Sequence, residues 1–162
     1  GYHFRADGYP QAYIFATEAM AGGAGIKGLS TTLSHEILEM IADPGVNLSA
    51  AQPPKNARGK TRLFAYEVCD PVEANYYKKN GVWVCDFVLP EWFEHEHQPG
   101  EMKMDFFKAV NAPFQIAPNG YADVFEGGKW VTRWGKEATT KGKKKAARGR
   151  HRFEVRTSRT RA

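Results

Sequence analysis

The sequence has only two cysteines in 162 residues, too few for the dense disulfide framework of a small secreted scaffold. It has no apolar run close to the roughly 18–20 residues that a transmembrane helix needs, so it predicts no membrane span. It also has no Gly-x-Ser-x-Gly nucleophile elbow and no recognisable catalytic Cys–His pair. With 42% hydrophobic and 25% charged residues, it has the balance of a folded globular domain.

Acidic residues are scarce only at the C-terminal end. Residues 136–162 carry eleven Lys and Arg against two Glu, whereas residues 1–135 carry 12 Lys and Arg against 16 Asp and Glu. The net charge of +5 therefore belongs to the end of the chain. We expect a mildly acidic domain over residues 1–135 and a basic, flexible tail over residues 136–162. The tail is either a phosphate-binding arm for nucleic acid or another anionic surface, or a passive solubilising extension.

Residues 1–135 predict an α+β domain in which an antiparallel or mixed sheet packs on one central helix. The strongest turn signal is Asn80-Gly81, which is typical of a two-residue hairpin. Strands are expected over residues 12–16 and 62–69, in a hairpin of 76–77 with 82–88, and in a second hairpin of 121–125 with 129–134. Helices are expected over residues 31–43 and 102–110, and residues 45–60 form an irregular connection.

The helix over residues 31–43 has two different faces. Ser30, Thr31 or Thr32 can cap its start, and Asp43-Pro44 ends it because proline disfavours helical geometry in the preceding residue. At 100° per residue, the apolar side chains form one compact face, while an imidazole and three carboxylates form the other. The apolar face consists of Leu33, Ile37, Met40 and Ile41, and the polar face of His35, Glu36, Glu39 and Asp43. We expect the apolar face to pack on the sheet.

The polar face has the spacing of a metal site. His35 and Glu39 lie one turn apart, so both can bind one ion, and Glu36 lies beside them within reach of an attacking water. This His-Glu-x-x-Glu arrangement is a variant of the zinc-peptidase helix in which a glutamate oxygen replaces the second histidine. The helix carries no Lys or Arg over these residues, so a divalent cation, or an Arg from elsewhere, is expected to compensate its charge.

Residues 34–44, Ser-His-Glu-Ile-Leu-Glu-Met-Ile-Ala-Asp-Pro, resemble the Ser-His-Glu-x-x-Glu-x-x-x-Asp-Pro signature of zincin-like metallopeptidases. This family consists mostly of uncharacterised bacterial proteins and has a fainter similarity to plant exordium-like proteins. Residues 66–73 and 84–90, followed by Trp92-Phe93, resemble later blocks of the family, although the family has Ser where Cys85 stands. The resemblance covers residues 1–135. It implies a zincin-like metal-binding domain, one bound zinc ion, and further sequence before Gly1.

Several acidic residues could supply the third metal ligand. Asp43 is the first candidate because it extends the His35/Glu39 stripe by a turn, but its carboxylate could instead cap the turn that follows the helix. Asp70 is the better choice among three acids at the end of a predicted strand because the resemblance covers it directly. The other two are Glu67 and Glu73.

The other candidate ligands have plainer interpretations. Cys69 and Cys85 are buried thiols, a disulfide or zinc ligands, and buried thiols are the default. His95 and His97 are expected at the surface, and Ser34 is expected to pack or cap rather than act as a nucleophile.

The predicted function is zinc-dependent hydrolysis of a peptide or protein substrate, with Glu36 as general base. The alternative is a non-enzymatic binding or structural domain that keeps the fold, with a basic tail that contacts nucleic acid or another anionic surface. The sequence slightly favours a cytoplasmic location.

Overall fold

The structure, a computed structural model, describes residues 1–136. This part of the chain is α+β, with antiparallel sheets and few helices, as the sequence predicts. The predicted basic tail lies outside the described residues except for Lys136. No helix within residues 1–136 is long and apolar enough to cross a membrane.

Within residues 1–136, the strands form three antiparallel sheets. The largest has the order β3-β4-β7-β8, and two separate hairpins are formed by β1-β2 and β5-β6. Both predicted hairpins are confirmed, and Asn80 and Gly81 have the positive φ values of 48° and 86° that their tight turn requires. The strands are β1 (Tyr2–Ala6), β2 (Tyr9–Tyr13), β3 (Ser49–Gln52), β4 (Arg62–Ala65), β5 (Tyr76–Lys79), β6 (Val82–Cys85), β7 (Tyr121–Glu126) and β8 (Lys129–Trp134).

The helices differ from the prediction at several points. A short helix α1 (Ala16–Met20) follows the region predicted as a strand and was not predicted, and the central helix α2 spans Gly25–Ala42, so it begins six residues earlier than expected. Ser30 and Thr31 do not cap α2, because their hydroxyls bind the carbonyl oxygens of Lys27 and Gly28 inside it. The helix ends at Ala42, with Asp43 as its C-cap residue, as predicted.

The predicted helix over residues 102–110 is wrong. Asp105 forms a bridge with Val88 instead, and its carboxylate accepts hydrogen bonds from the backbone amides of Ala109 and Val110 at 2.7 and 3.0 Å. Side chain–backbone bonds of this kind compete with helical hydrogen bonds and favour a loop. The irregular connection over residues 45–60 contains the short strand β3.

The orientation of α2 is the reverse of the predicted one. His35, Glu36 and Glu39 are buried, and Leu38 and Ala42 on the same side pack against the hydrophobic core. Most of the predicted core face is exposed, and Ile41 has 73% of its surface accessible. Leu33 and Ile37 are exposed on the same side. The polar face of α2 is therefore the face that points into the molecule.

The hydrophobic core lies between α2, the four-stranded sheet and the loops that follow β4 and β6. Its centre is aromatic: Trp92 packs edge-on against Phe64 and Phe93, and the Trp92 indole N–H donates to the carbonyl oxygen of Gln115 at 2.7 Å. This packing fixes the loop after β4 against α2, and it thereby brings residues of that loop to the buried polar face of the helix.

A candidate metal centre in a buried polar cluster

Helix α2 supplies the first part of a buried polar cluster. The Nε2 atom of His35 lies 3.1 Å from Oε1 of Glu39, one turn further along the helix. Glu39 is 0% exposed, and Glu36, beside them on the same helix, is 2% exposed. The i, i+4 spacing brings an imidazole and a carboxylate together, as the sequence predicts, but the pair lies inside the protein and not on the exposed face.

Asp70 completes this arrangement from another element. It begins the short 3-10 helix Asp70–Val72 after β4, and its Oδ1 atom lies 3.1 Å from the same Nε2 atom of His35. The turn is held by the Ala117 amide, which donates to the carbonyl oxygen of Pro71 at 2.9 Å. Gly120 packs so closely that an added Cβ would lie 2.3 Å from that oxygen. The turn that carries Asp70 is therefore held against the segment that leads into β7.

The three side chains have separations suited to a metal ion. The ligand atoms of His35, Glu39 and Asp70 all lie within 4.8 Å of one another. Two ligands about 2.1 Å from a tetrahedral zinc ion are about 3.4 Å apart, and octahedral coordination gives about 3.0 Å. The two observed separations of 3.1 Å fall within this range. The described residues thus contain buried groupings of His, Cys and acidic side chains that could hold a metal ion.

The carboxylate of Asp43 caps the turn after α2, which is the second of the two roles considered for it. Both of its carboxylate oxygens accept backbone hydrogen bonds in the turn after α2, from the amides of Asn47 at 3.2 Å and Leu48 at 2.9 Å. Among the described residues it belongs to no grouping with metal-ligand separations, and neither does Glu73. The structure therefore brings Asp70, and not Asp43, to His35 and Glu39.

His3 is a further member of the cluster, and the sequence analysis missed it. It lies on β1 and is 1% exposed. Its Nδ1 atom is 3.3 Å from Glu39 Oε2 and 3.5 Å from Glu36 Oε2, and its Nε2 atom is 3.5 Å from Glu67 Oε2. His3, Glu36 and Glu39 form a second possible metal-binding group.

The alternation along β1 is the signal that could have revealed His3. The rings of Tyr2 and Phe4 pack against the ring of Tyr13 on one face of the hairpin, and Phe4 is stacked on it. Because side chains alternate between the two faces of a strand, His3 points to the other face, towards α2. Predicting a strand at 12–16 alone left this partner strand unnoticed.

The carboxylates favour the charged form of both imidazoles. Burial by itself lowers the pKa of His3, but Glu36, Glu39 and Glu67 outweigh that effect and raise the pKa to about 10. Burial also lowers the pKa of His35, and Glu39 and Asp70 more than reverse this, so the pKa of His35 is well above its ordinary value. In the metal-free protein the imidazoles therefore provide positive charge next to the buried acids.

Cys69 and Cys85 are free, buried thiols, in agreement with the default expectation for them. Cys85 lies on the other side of the His35 ring, with its Sγ atom 3.7 Å from His35 Nδ1, and Cys69 Sγ lies 3.7 Å from the carbonyl oxygen of His35. Burial and the neighbouring Cys85 raise the pKa of the Cys69 thiol well above its usual range. A hydrogen bond from the Cys69 thiol lowers the pKa of the Cys85 thiol to about 6. Burial acts in the opposite direction, and the neighbouring His35 adds to the lowering.

The remaining candidates lie where the sequence predicts. His95 is exposed, and His97 pairs near the surface with Glu94 at 2.8 Å. The Ser34 hydroxyl accepts a hydrogen bond from the Cys85 amide at 2.9 Å and donates to the carbonyl oxygen of Thr31 at 3.0 Å, which is a packing role.

Comparison of the chain with protein-family models, with curated proteins and with solved structures finds no match. The geometry of the cluster and the sequence signature are therefore the grounds for a functional proposal.

Proposed function

We propose that the protein is a zinc-dependent peptidase with a zincin-like active-site helix. The observation that carries the proposal is the convergence of His35 Nε2, Glu39 Oε1 and Asp70 Oδ1 in the interior, with separations of 3.1 Å from the imidazole to each carboxylate. One nitrogen and two oxygen ligands form an acceptable donor set for zinc. Three protein ligands leave a fourth position open, as a catalytic zinc site requires.

Glu36 is the proposed general base. Zinc, when bound, would polarise the scissile carbonyl and make water a stronger nucleophile. Glu36 directly follows the ligand His35 on α2, so its carboxylate lies next to the ligand stripe and can accept a proton and pass it to the leaving amine. His3 lies 3.5 Å from Glu36 and 3.3 Å from Glu39 and orients both carboxylates.

Burial favours a second candidate function, a closed metal site in a non-enzymatic binding or structural domain. Glu36 is 2% exposed and Asp70 is 0% exposed, so a peptide reaches this site only if the elements around it open. Structural zinc sites have four protein ligands and no water, whereas catalytic sites keep an open position. The coordination of the bound ion therefore distinguishes the two functions.

The deciding experiment combines metal analysis with peptide cleavage. The wild-type protein, stripped of metal and reconstituted with zinc, should hold one ion per chain and cleave a fluorescently labelled, denatured protein. Glu36→Gln should keep the zinc and lose about 10²–10⁴-fold in rate, the usual contribution of a general base. Glu96→Gln makes the same chemical change on an exposed side chain and is the matched control.

Each outcome assigns the protein to one class. Zinc binding without cleavage in the wild type would refute the peptidase and support the closed structural site. Cleavage by Glu36→Gln at the wild-type rate would remove Glu36 from the mechanism. Failure of the reconstituted wild type to bind zinc would refute both functions.

A further inference from the structure

The His35 ring has ligand-bearing side chains on both of its sides. Its Nε2 atom faces Glu39 and Asp70, and its Nδ1 atom faces Cys85 Sγ at 3.7 Å. We propose that His35 Nδ1, Cys69 Sγ and Cys85 Sγ form a second binding site, specific for a soft, thiophilic cation such as Cd(II) or Cu(I).

The geometry supports three-ligand binding without a change of fold. Sulfur at about 2.3 Å and nitrogen at about 2.05 Å from a tetrahedral zinc-sized ion are about 3.6 Å apart, close to the observed 3.7 Å. Cys69 Sγ, Cys85 Sγ and the imidazole nitrogen all lie within 4.8 Å of one another. A larger soft ion would need only a small outward movement of the two thiols.

Independent elements hold the three ligands in place. The Cys85 amide donates to the Ser34 hydroxyl at 2.9 Å, which fixes the end of β6 on α2. Cys69 lies in the turn after β4, with its sulfur 3.7 Å from the carbonyl oxygen of His35. Both thiols are buried and neither is in a disulfide, so both are available as ligands.

The donor chemistry separates this site from the carboxylate site. Thiolates favour soft ions, and carboxylates favour hard or borderline ones. When a divalent ion binds, the Nδ1–H bond of the His35 imidazolium and the S–H bonds of whichever thiols are still protonated break. One metal–nitrogen and two metal–sulfur bonds form, and the displaced protons pass to solvent. No group is oxidised or reduced.

The two sites should exclude each other, and this consequence rests on the proposed zinc site. A neutral imidazole has one nitrogen lone pair and one N–H group. A cation bound at Nδ1 therefore leaves the proton of His35 on Nε2, where it donates to Glu39 or Asp70. His35 Nε2 is then lost as a zinc ligand, and a thiophilic ion should act as an inhibitor.

A titration with Cd(II) tests the site, because cadmium–thiolate bonds give a charge-transfer band in the ultraviolet. We expect one Cd(II) per chain with this band in the wild type. Cys69→Ser and Cys85→Ser should each weaken binding by at least about 10–100-fold, the loss typical of even an outer-shell partner. Cys69→Ala and Cys85→Ala are measured as well, because the serine hydroxyl would itself be buried and could disturb the fold. If circular dichroism shows that the alanine variants are folded, their loss of cadmium binding is due to the missing thiol.

Asp70→Asn is the matched control, since it disables the carboxylate site and should leave the cadmium band intact. The band should therefore survive in this variant even if the peptidase proposal fails. The sulfur site is refuted if the band forms neither when Cd(II) is added to the folded protein nor when the protein is refolded with Cd(II). It is also refuted if the band persists in the Cys→Ala variants. Uptake of a zinc ion as well as Cd(II) by one wild-type chain would overturn the mutual exclusion.

Discussion

Replacing the carboxylate of Asp70 with an amide should weaken metal binding, whereas the same replacement at Asp43 should leave it unchanged. Both aspartates are fully buried and both were candidates for the third ligand. Asp70 faces His35 at 3.1 Å, whereas Asp43 accepts backbone hydrogen bonds from Asn47 and Leu48. Asp70→Asn and Asp43→Asn are therefore a matched pair of substitutions, of which only the first should affect metal binding.

The expected change in stability on zinc binding follows from thermodynamic linkage between binding and folding. A ligand that binds only the folded state at 100 times its Kd adds about 2.7 kcal/mol to the free energy of unfolding. A domain of this size has an unfolding entropy of roughly 0.3 kcal/mol/K, so its Tm should rise by about 8–9 °C with zinc. Asp43→Asn should lower the stability of the metal-free protein by about 1–3 kcal/mol, because an amide nitrogen cannot accept one of the two backbone hydrogen bonds.

Thermal unfolding followed by circular dichroism, with a chelator and then with excess zinc, measures both effects. The wild type and Asp43→Asn should show the same zinc-dependent rise in Tm, although Asp43→Asn starts from a lower value. Asp70→Asn should lose most of the rise. A full rise in Asp70→Asn, or its loss in a folded Asp43→Asn protein, would refute the assignment of Asp70 as ligand.

Three further predictions concern pH, the orientation of α2 and the tail. Burial, together with the neighbouring carboxylate of Asp105, raises the pKa of Asp86 to about 7. The folded state therefore binds this proton more tightly than the unfolded state, and stability should fall as pH rises from about 4 to 7. Asp86→Asn should flatten that dependence in urea unfolding curves of the metal-free protein, and an unchanged slope would argue against it. Because Ile41 is exposed, Ile41→Lys should change the free energy of unfolding by less than about 0.5 kcal/mol. Phe64 is buried, so Phe64→Ala should lower the free energy of unfolding by about 3–5 kcal/mol. A large loss of stability in Ile41→Lys would mean that this face of α2 is buried. Removal of residues 136–162, most of which lie outside the described residues, should abolish salt-sensitive retention on DNA if the tail is a phosphate-binding arm, and equal retention would identify a passive extension.

Features set by neighbouring residues were predictable from the sequence. The Asn80-Gly81 turn depends on the backbone freedom of two residues, and the structure has the hairpin there. The pairing of His35 with Glu39 depends only on helical spacing. The end of α2 follows from the proline after Asp43.

Features that depend on distant residues were harder to predict. Helical spacing makes Asp43 the first candidate for the third ligand, and only the family resemblance favours Asp70 over Glu67 and Glu73. Spacing along one helix does not show which loop packs against it. His3 is 32 residues before His35 in the sequence and reaches the cluster through the β1-β2 hairpin, of which β1 was not predicted. Periodicity separates the two faces of α2 but does not show which one is inside.

The error in the predicted orientation of α2 has a physical explanation. Apolar side chains are normally the buried ones, and acidic side chains are rarely buried without partners, so a helix with both faces is expected to turn its apolar face inwards. Here Glu36 and Glu39 are inside with His3 and His35, while Ile37 and Ile41 are outside. Such burial costs several kcal/mol per charged group, even when the group is paired. A sequence selected for stability alone would not keep this arrangement, and departures of this kind are concentrated at functional sites. If a cation replaces the imidazole protons as the counter-charge of the carboxylates, its binding energy is also folding energy, so metal removal should destabilise α2 and the turn at Asp70 together.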